Sequence, residues 1–575
     1  QEGNFTKTTL TTGPFINWGL RRTNEKSNIY GSASVVSGGY NHTLDGSGVD
    51  VVVQDTGIEP THPEWQDAEG TSRLKKINWY TESGLTGTQN TNHYRDYHGH
   101  GTHVGATMAG KNYGWAKGAD IYAQKIAGLE GTGDSGTGIS ITNCFDVIKE
   151  WHNRKAKGAY TPTGATYTGA TGVMVLTIGN HNFVQNDKIR IAPGSLVFTC
   201  AKDSHTTHHP YPRSRNVPNA IGTDPYYNKD VTITATTATT ITMNIGISSD
   251  TSEHRFVSAI PGCITASGSK RLQKKRPTVV NMSWGYNTTF TNITGGVYRG
   301  TPWTGNAKVS AYGMIGDGLN RHSVRVSSVD IDIQEMIDAG IHVVIASGNA
   351  YQKIDVPTGV DYDNYYTNIF GNRYYHRGGS PFDDQAINVG NIDRTTKLTS
   401  GELKEQKKGS SNCGPGVDIY APGSNIMSAC STLTAFPSSQ GTYYFDGNFK
   451  QANISGTSMA APQVAGVIAL YLQINPEATV KEVKDWLIRT SISDTLYDSS
   501  GDNDYTDFRS LLGGANIQMF NPYNSQYGLV LDVASKTSST VGTNTATYTL
   551  TSNVDVVDEG GSFTVSLATA NVTAG

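Results

Sequence analysis

Four short runs of β-branched and apolar residues, each leading into a glycine-containing turn, constrain this chain more than any other feature. They are Val49-Asp-Val-Val-Val53, Ile121–Ile126, Thr278-Val-Val-Asn-Met-Ser283 and Ile341-His-Val-Val-Ile-Ala346. Strands that are apolar almost throughout, rather than at alternate positions, are buried on both faces, the condition of a parallel sheet between layers of helix. Helices are predicted where the sheet needs them. Ile139, Ile141, Cys144, Val147, Ile148 and Trp151 recur at helical spacing within Thr137–His152; Ser327–Gly340 ends on its glycine; Ser458–Ile474 and Pro476–Thr490 follow. The alternation predicts an α/β fold with a central, mostly parallel sheet.

One stretch breaks the rhythm. From about Gly158 to Lys275 helical periodicity disappears, and short strands such as Val173–Thr177, Asp187–Ile191, Leu196–Thr199 and Val231–Ala235 alternate with turns rich in Gly, Asn, Asp and Pro. The expected organisation is an N-terminal extension (1–47), a first α/β part (48–157), an inserted β-rich domain (158–276), a second α/β part (277–495) and a polar extension (496–575). The extension ends in strand-like alternation over Ala546–Ala574, an incomplete β-sandwich-like module. The Tyr-rich stretch Tyr362–Tyr375 is expected to be a surface loop.

Three segments carry the chemistry. Asp55 stands at the end of a buried strand in Gln54-Asp55-Thr56-Gly57, His100 in His98-Gly-His100-Gly-Thr-His103, and Ser458 in Ser455-Gly-Thr-Ser458-Met-Ala-Ala-Pro462 at the start of an apolar helix. Acyl transfer to serine needs a hydroxyl, an imidazole to take its proton, and a carboxylate to hold the imidazole tautomer and stabilise the imidazolium. These strings, in the order Asp, His, Ser, resemble the three signatures of the subtilisin-like serine proteases, the subtilases (peptidase family S8), and the order separates them from chymotrypsin-like and α/β-hydrolase arrangements.

That resemblance implies a three-layer αβα fold. It makes Asp55 the orienting acid, His100 the general base and Ser458 the nucleophile, with His98 and His103 structural. Ile345-Ala-Ser-Gly-Asn349 is similar to the family's oxyanion segment, so Asn349 is the expected side-chain donor, aided by the Ser458 N–H. Gly131-Thr132-Gly133 and Ser283-Trp284-Gly285 look like the two edges on which an extended peptide pairs as an added strand. Trp284 stands where the family usually carries a smaller residue, and its ring is expected to narrow or roof the primary pocket.

Composition limits the partners. A net charge of −4 gives no field that draws nucleic acid or anionic lipid, and no apolar run approaches the length of a membrane span. Cys144, Cys200, Cys263, Cys413 and Cys430 contain no C-x-x-C, and Cys200 and Cys263 share the insert and could be bridged there. His205, His208 and His209 read as a polar loop before Pro210, so no metal ligand is assigned. Asp498, Asp502, Asp504 and Asp507 lack the sixth-position Gly and terminal Glu of an EF-hand; no cofactor is expected to be required, a structural calcium ion being what the resemblance allows.

Context comes from the other parts. Asn180–Ile191 with Phe198–Asp203 is similar to β modules of structural proteins in marine tailed phages, cyanophages above all, and Ser552–Val565 to the opening strands of their β-sandwich repeats. This implies a virion component of tail or baseplate, extracellular after release, acting on polypeptides beside other virion proteins and oligomeric within a particle. A structural or adhesive tail protein keeping the protease fold as an inert scaffold is the rival expectation, and a freely secreted enzyme a weaker one. Gln1 and Gly575 are expected to be processed or truncated ends.

Overall fold

The structure is a computed structural model of the 575-residue chain. It describes residues 17–26, 40, 42–129, 137–155, 159–179, 181, 183–214, 223–267, 275–289, 292–305, 321–399, 402–434, 436–499 and 507–523, with strands at 531–539 and 546–552.

The apolar runs form the predicted sheet. In chain order the α/β elements are β1 (Asp50–Asp55), β2 (Leu74–Lys75), α1 (His100–Ala109), β3 (Asp120–Lys125), α2 (Cys144–Asn153), β4 (Thr278–Met282), α3 (Ser327–Asp338), β5 (His342–Ala346), β6 (Ile387–Ile392), β7 (Ile419–Pro422), α4 (Thr457–Ile474) and α5 (Val480–Thr490). The sheet order is β2-β3-β1-β4-β5-β6-β7, continued by Ile517–Gln518 and Ile492–Ser493, with every pairing parallel except the last.

Alternate residues of each strand serve the two faces. Val51, Val53, Val279 and Val344 pack with α1 and α4, whereas Val52, Val280, Val343 and Ile345 pack with α2 and α3. The result is three layers, αβα. By length and composition α4 is long and apolar enough to cross a membrane, but here it is buried in the first of these cores.

The insert is a separate β unit. Strands from Ala159 to Ser267 make a ten-stranded antiparallel sheet around Met174, Leu176, Ile189, Ile191, Val231, Ile241 and Ile264. Its root is charged: Lys155, before it, and Arg276, after it, both pair with Asp50 at the start of β1, at 2.5 and 2.8 Å, and Arg276 also reaches Asp120 at 2.9 Å. Arg276, the last residue of the short basic run at the exit of the insert, is thus held by two carboxylates.

Three expectations are corrected, and the N-terminal extension is located. Cys200 and Cys263 are not bridged: all five cysteines are free, and Cys200 Sγ faces Asp250 instead. The Tyr-rich loop is a sheet, because Tyr365–Asn368 pairs with Arg373–Tyr375 on one side and with Ile293–Tyr298 on the other, and aromatic side chains favour the pleated surface. The extension before residue 48 is anchored, with Trp18 Nε1 donating to the Ser424 carbonyl at 2.8 Å and Arg22 buried in an ion pair with Glu405. The α/β unit also runs past 495, since Leu511, Leu512, Met519 and Tyr523 lie in its core.

Candidate active site

The carboxyl ends of three neighbouring strands assemble the site. β1 pairs with β4 so that Gln54 faces Met282, and β4 with β5 so that Met282 faces Ile345. Asp55, Ser283 and the turn to Asn349 therefore emerge side by side, strand spacing being about 4.8 Å. Ligand sites in open α/β sheets form at such edges.

Asp55 is buried and holds His100. Its Oδ1 accepts from His100 Nδ1 at 2.8 Å and from the Thr56 N–H at 2.8 Å. A carboxylate only accepts, so Nδ1 carries the proton and Nε2 is left with its lone pair free. Burial opposes charge on His100, but the attraction and hydrogen bond of Asp55, with the charge of Asp96 added, outweigh it and hold His100 above the usual imidazole range. The other two histidines of the string are placed differently. His103 is wholly buried, its Nε2 against the carbonyls of Ile426 and Ala452 at 3.0 and 3.1 Å, and burial pushes it down to about 3. His98 packs on Phe436, its ring also against His100.

Ser458 sits in the first turn of α4, half-buried. Its hydroxyl donates to the Ser283 carbonyl at 3.0 Å, and among the described residues it makes no hydrogen bond to His100. Free enzymes often hold nucleophile and base apart until substrate binds. Pro462, four residues on, has no N–H for the Ser458 carbonyl, and the Ser283 hydroxyl takes that place at 2.8 Å. Ser283 is itself held by Asn281 Nδ2 at 2.8 Å. The proline thus ties the serine turn to the end of β4.

Asn349 is exposed at the end of β5. Its Oδ1 accepts from Thr457 N at 2.9 Å and Thr457 Oγ1 at 3.2 Å, so its Nδ2 is the end left to donate beside Ser458. Gly348, at φ +104, makes the turn; a Cβ there would meet Asn412 Nδ2 at 2.6 Å.

A cleft of about 180 Å³ runs along this edge, lined by Trp284, Gly285, Gly348, Asn349, Ser380 and Ser458 among others. Trp284 lines it with its ring packed toward Phe145 and Tyr286. Gly131, Thr132 and Gly133, the other expected edge, lie outside the described residues. Of the acidic cluster, Asp498 Oδ1 accepts from Ser510 Oγ and Leu511 N, and Asp507 pairs with Lys397 and Tyr497; Asp502 and Asp504 also lie outside.

Sequence reasoning missed Asp96. This buried carboxylate accepts from Thr56 Oγ1, His98 N and Gly99 N on Oδ1, and from Thr102 N and Thr102 Oγ1 on Oδ2, at 2.6–3.1 Å. It joins the turn after Asp55 to the loop and helix start that present His100. An acid just before a Gly-containing helix start is a capping signal that was available in the sequence.

Comparison with known proteins identifies the family. The model of the subtilase family matches residues 46–157 and 257–518, leaving out most of the insert. The chain is similar to the subtilisin-like serine protease pepC of Aspergillus niger, 31% identical over 173 residues, covering 29% of this chain and 28% of that protein. It is also similar to the cuticle-degrading serine protease of Arthrobotrys oligospora, 38% identical over 104 residues, 18% of this chain and 23% of that one. The matches thus span about a quarter of these relatives' length. A solved cold-adapted subtilisin-like serine proteinase aligns at 18% identity with a TM-score of 0.41, covering 88% of this chain and 98% of that one.

Proposed function

This chain belongs to the subtilase family, and on that premise we propose that it is a serine endopeptidase. His100 Nε2 takes the Ser458 proton as Oγ attacks a peptide carbonyl, and Asp55 keeps the proton on Nδ1 and stabilises the imidazolium. Asn349 Nδ2 and the Ser458 N–H receive the oxyanion. The imidazolium then protonates the leaving amine, and water releases the acyl group by the same route in reverse. An extended substrate pairs along Ser283-Trp284-Gly285, with Gly131-Thr132-Gly133 as the opposite edge. The chemistry needs no cofactor.

The observation that carries this reading is the hydrogen bond from His100 Nδ1 to buried Asp55 on the strand next to the one whose end binds Ser458. The exposure of Asn349 and the cleft beside it favour a working site over the inert-scaffold alternative. The place of action is a phage particle, tail or baseplate, on the likeness of the insert and tail to virion modules; the substrates are then virion or host-surface proteins. Incubation of the purified chain with a denatured protein tests the activity: internal peptide bonds are cut by the native chain and not by Ser458→Ala. Equal cleavage by both would refute it.

A further inference from the structure

The insert contains a cavity of about 430 Å³ whose lining residues all belong to the insert itself. Three side chains of different chemistry converge on its wall. Cys200 closes the strand Leu196–Cys200, and His254 opens the antiparallel strand His254–Ala259 directly opposite it. Asp250 lies in the turn before His254, and the ligand atoms of the three residues all lie within 4.8 Å of one another.

The arrangement is oriented. Asp250 Oδ1 is held by the Ser252 N–H at 3.0 Å and by the Ser252 hydroxyl, which turns Oδ2 toward Cys200 Sγ at 2.9 Å. Tyr167 packs edge-on against the His254 ring, 5.3 Å between centroids. His254 Nδ1 is buried with no hydrogen-bond partner among the described residues, as are ring nitrogens of several other histidines, but His254 alone has a thiol and a carboxylate within ligand distance. Sulfur, imidazole and carboxylate together suit a borderline-soft divalent ion, whereas calcium and magnesium take oxygen. Supporting hydrogen bonds to a ligand carboxylate are what metal sites use to fix geometry.

We propose that Cys200, Asp250 and His254 form a zinc site, with its fourth position open to the cavity. The thiol proton passes to solvent as the thiolate–zinc bond forms, one proton per ion. The Sγ–Oδ2 separation widens to about 3.5 Å, as bonds of about 2.3 Å to sulfur and 2.0 Å to oxygen require in a tetrahedron. Bound there, the ion pins two neighbouring strands of the insert and the turn between Asp250 and His254. Fifty residues of sequence separate Cys200 from Asp250, which is why no ligand spacing shows in the sequence.

The test uses the full chain carrying Ser458→Ala, titrated with Zn²⁺ against a chromophoric chelator and with Co²⁺ in the visible and near ultraviolet. One equivalent of each ion and a thiolate-to-cobalt charge-transfer band are expected. Cys200→Ser abolishes the band, and it, His254→Ala and Asp250→Asn each weaken zinc binding at least 10-fold, while His208→Ala, in the nearby exposed loop, changes nothing. X-ray absorption at the zinc edge, without any change at these ligands, gives one sulfur in the shell. Binding absent at stoichiometric zinc, unchanged in Cys200→Ser and His254→Ala, or a shell of only nitrogen and oxygen would overturn the assignment.

Discussion

Replacing Asp96 by Asn tests whether the buried carboxylate positions the base. Asp96 accepts five hydrogen bonds, three on Oδ1 and two on Oδ2. The amide of Asn keeps its oxygen for Thr56, His98 and Gly99 but turns an NH2 toward Thr102. The Thr102 hydroxyl can rotate to accept; the Thr102 N–H cannot, and is left buried against a donor. Losing this one bond to a charged group, with its buried donor left unsatisfied, costs about 2–3 kcal/mol, which is the loss expected in denaturant unfolding. The pH profile separates this from mere destabilisation. Asp96 is one of the charges that raise His100, and catalysis needs His100 neutral, so the acid limb of kcat/KM lies above 6.5 in the native chain and moves toward 6.5 in Asp96→Asn. The linkage has the matching sign: the raised His100 pKa stabilises the fold below the unfolded value of about 6.5, and that contribution is lost as pH rises through the folded value. An unmoved acid limb with stability within about 1 kcal/mol of the native chain would refute the reasoning.

Asn349→Leu is expected to lower kcat by about 10²–10³ with KM little changed, since an oxyanion donor acts in the transition state. Asn349→Asp keeps the acceptor for Thr457 and removes the donor, so it should retain stability and lose activity alike; equal kcat in both variants and the native chain contradicts the assignment. Asp50→Asn leaves Lys155 without its counter-ion at the root of the insert. About 3 kcal/mol should be lost in chemical denaturation, the low end for a buried pair, because Arg276 keeps Asp120 and Lys155, which burial already lowers to about 8, can shed its proton. A change below about 1 kcal/mol would show that the cluster does not hold the insert in place.

The parallel sheet was legible because β1, β4 and β5 are apolar on both faces, a local property that needs no knowledge of partners. Asp55, Asn349 and Ser458 were legible because each stands where a regular element meets a turn, and such positions carry their signal in a few consecutive residues. Asp96 was legible only as a cap for the turn that follows it; its tie to the turn after Asp55 exists only when Thr56, 40 residues earlier, meets the same carboxylate. The same holds for the anchoring of Trp18 on Ser424 and for Ile517–Gln518 joining the sheet, both contacts between distant segments. The Tyr-rich stretch misled because its strands are short and pair with a strand about 70 residues earlier, Val297 facing Tyr365. Pro462 was read as part of a motif string; its physical work, freeing the Ser458 carbonyl for Ser283, appears only in three dimensions.

The proposed chemistry requires Ser458, His100 and the oxyanion donors to form one open, working site. Labelling the folded chain with a fluorophosphonate and locating the adduct by mass spectrometry tests it most directly, since phosphonylation needs the activated hydroxyl and the donors together. One adduct is expected, on Ser458, absent in Ser458→Ala and strongly slowed in His100→Ala. Folded protein that takes no label, or takes it equally on another residue, would contradict it.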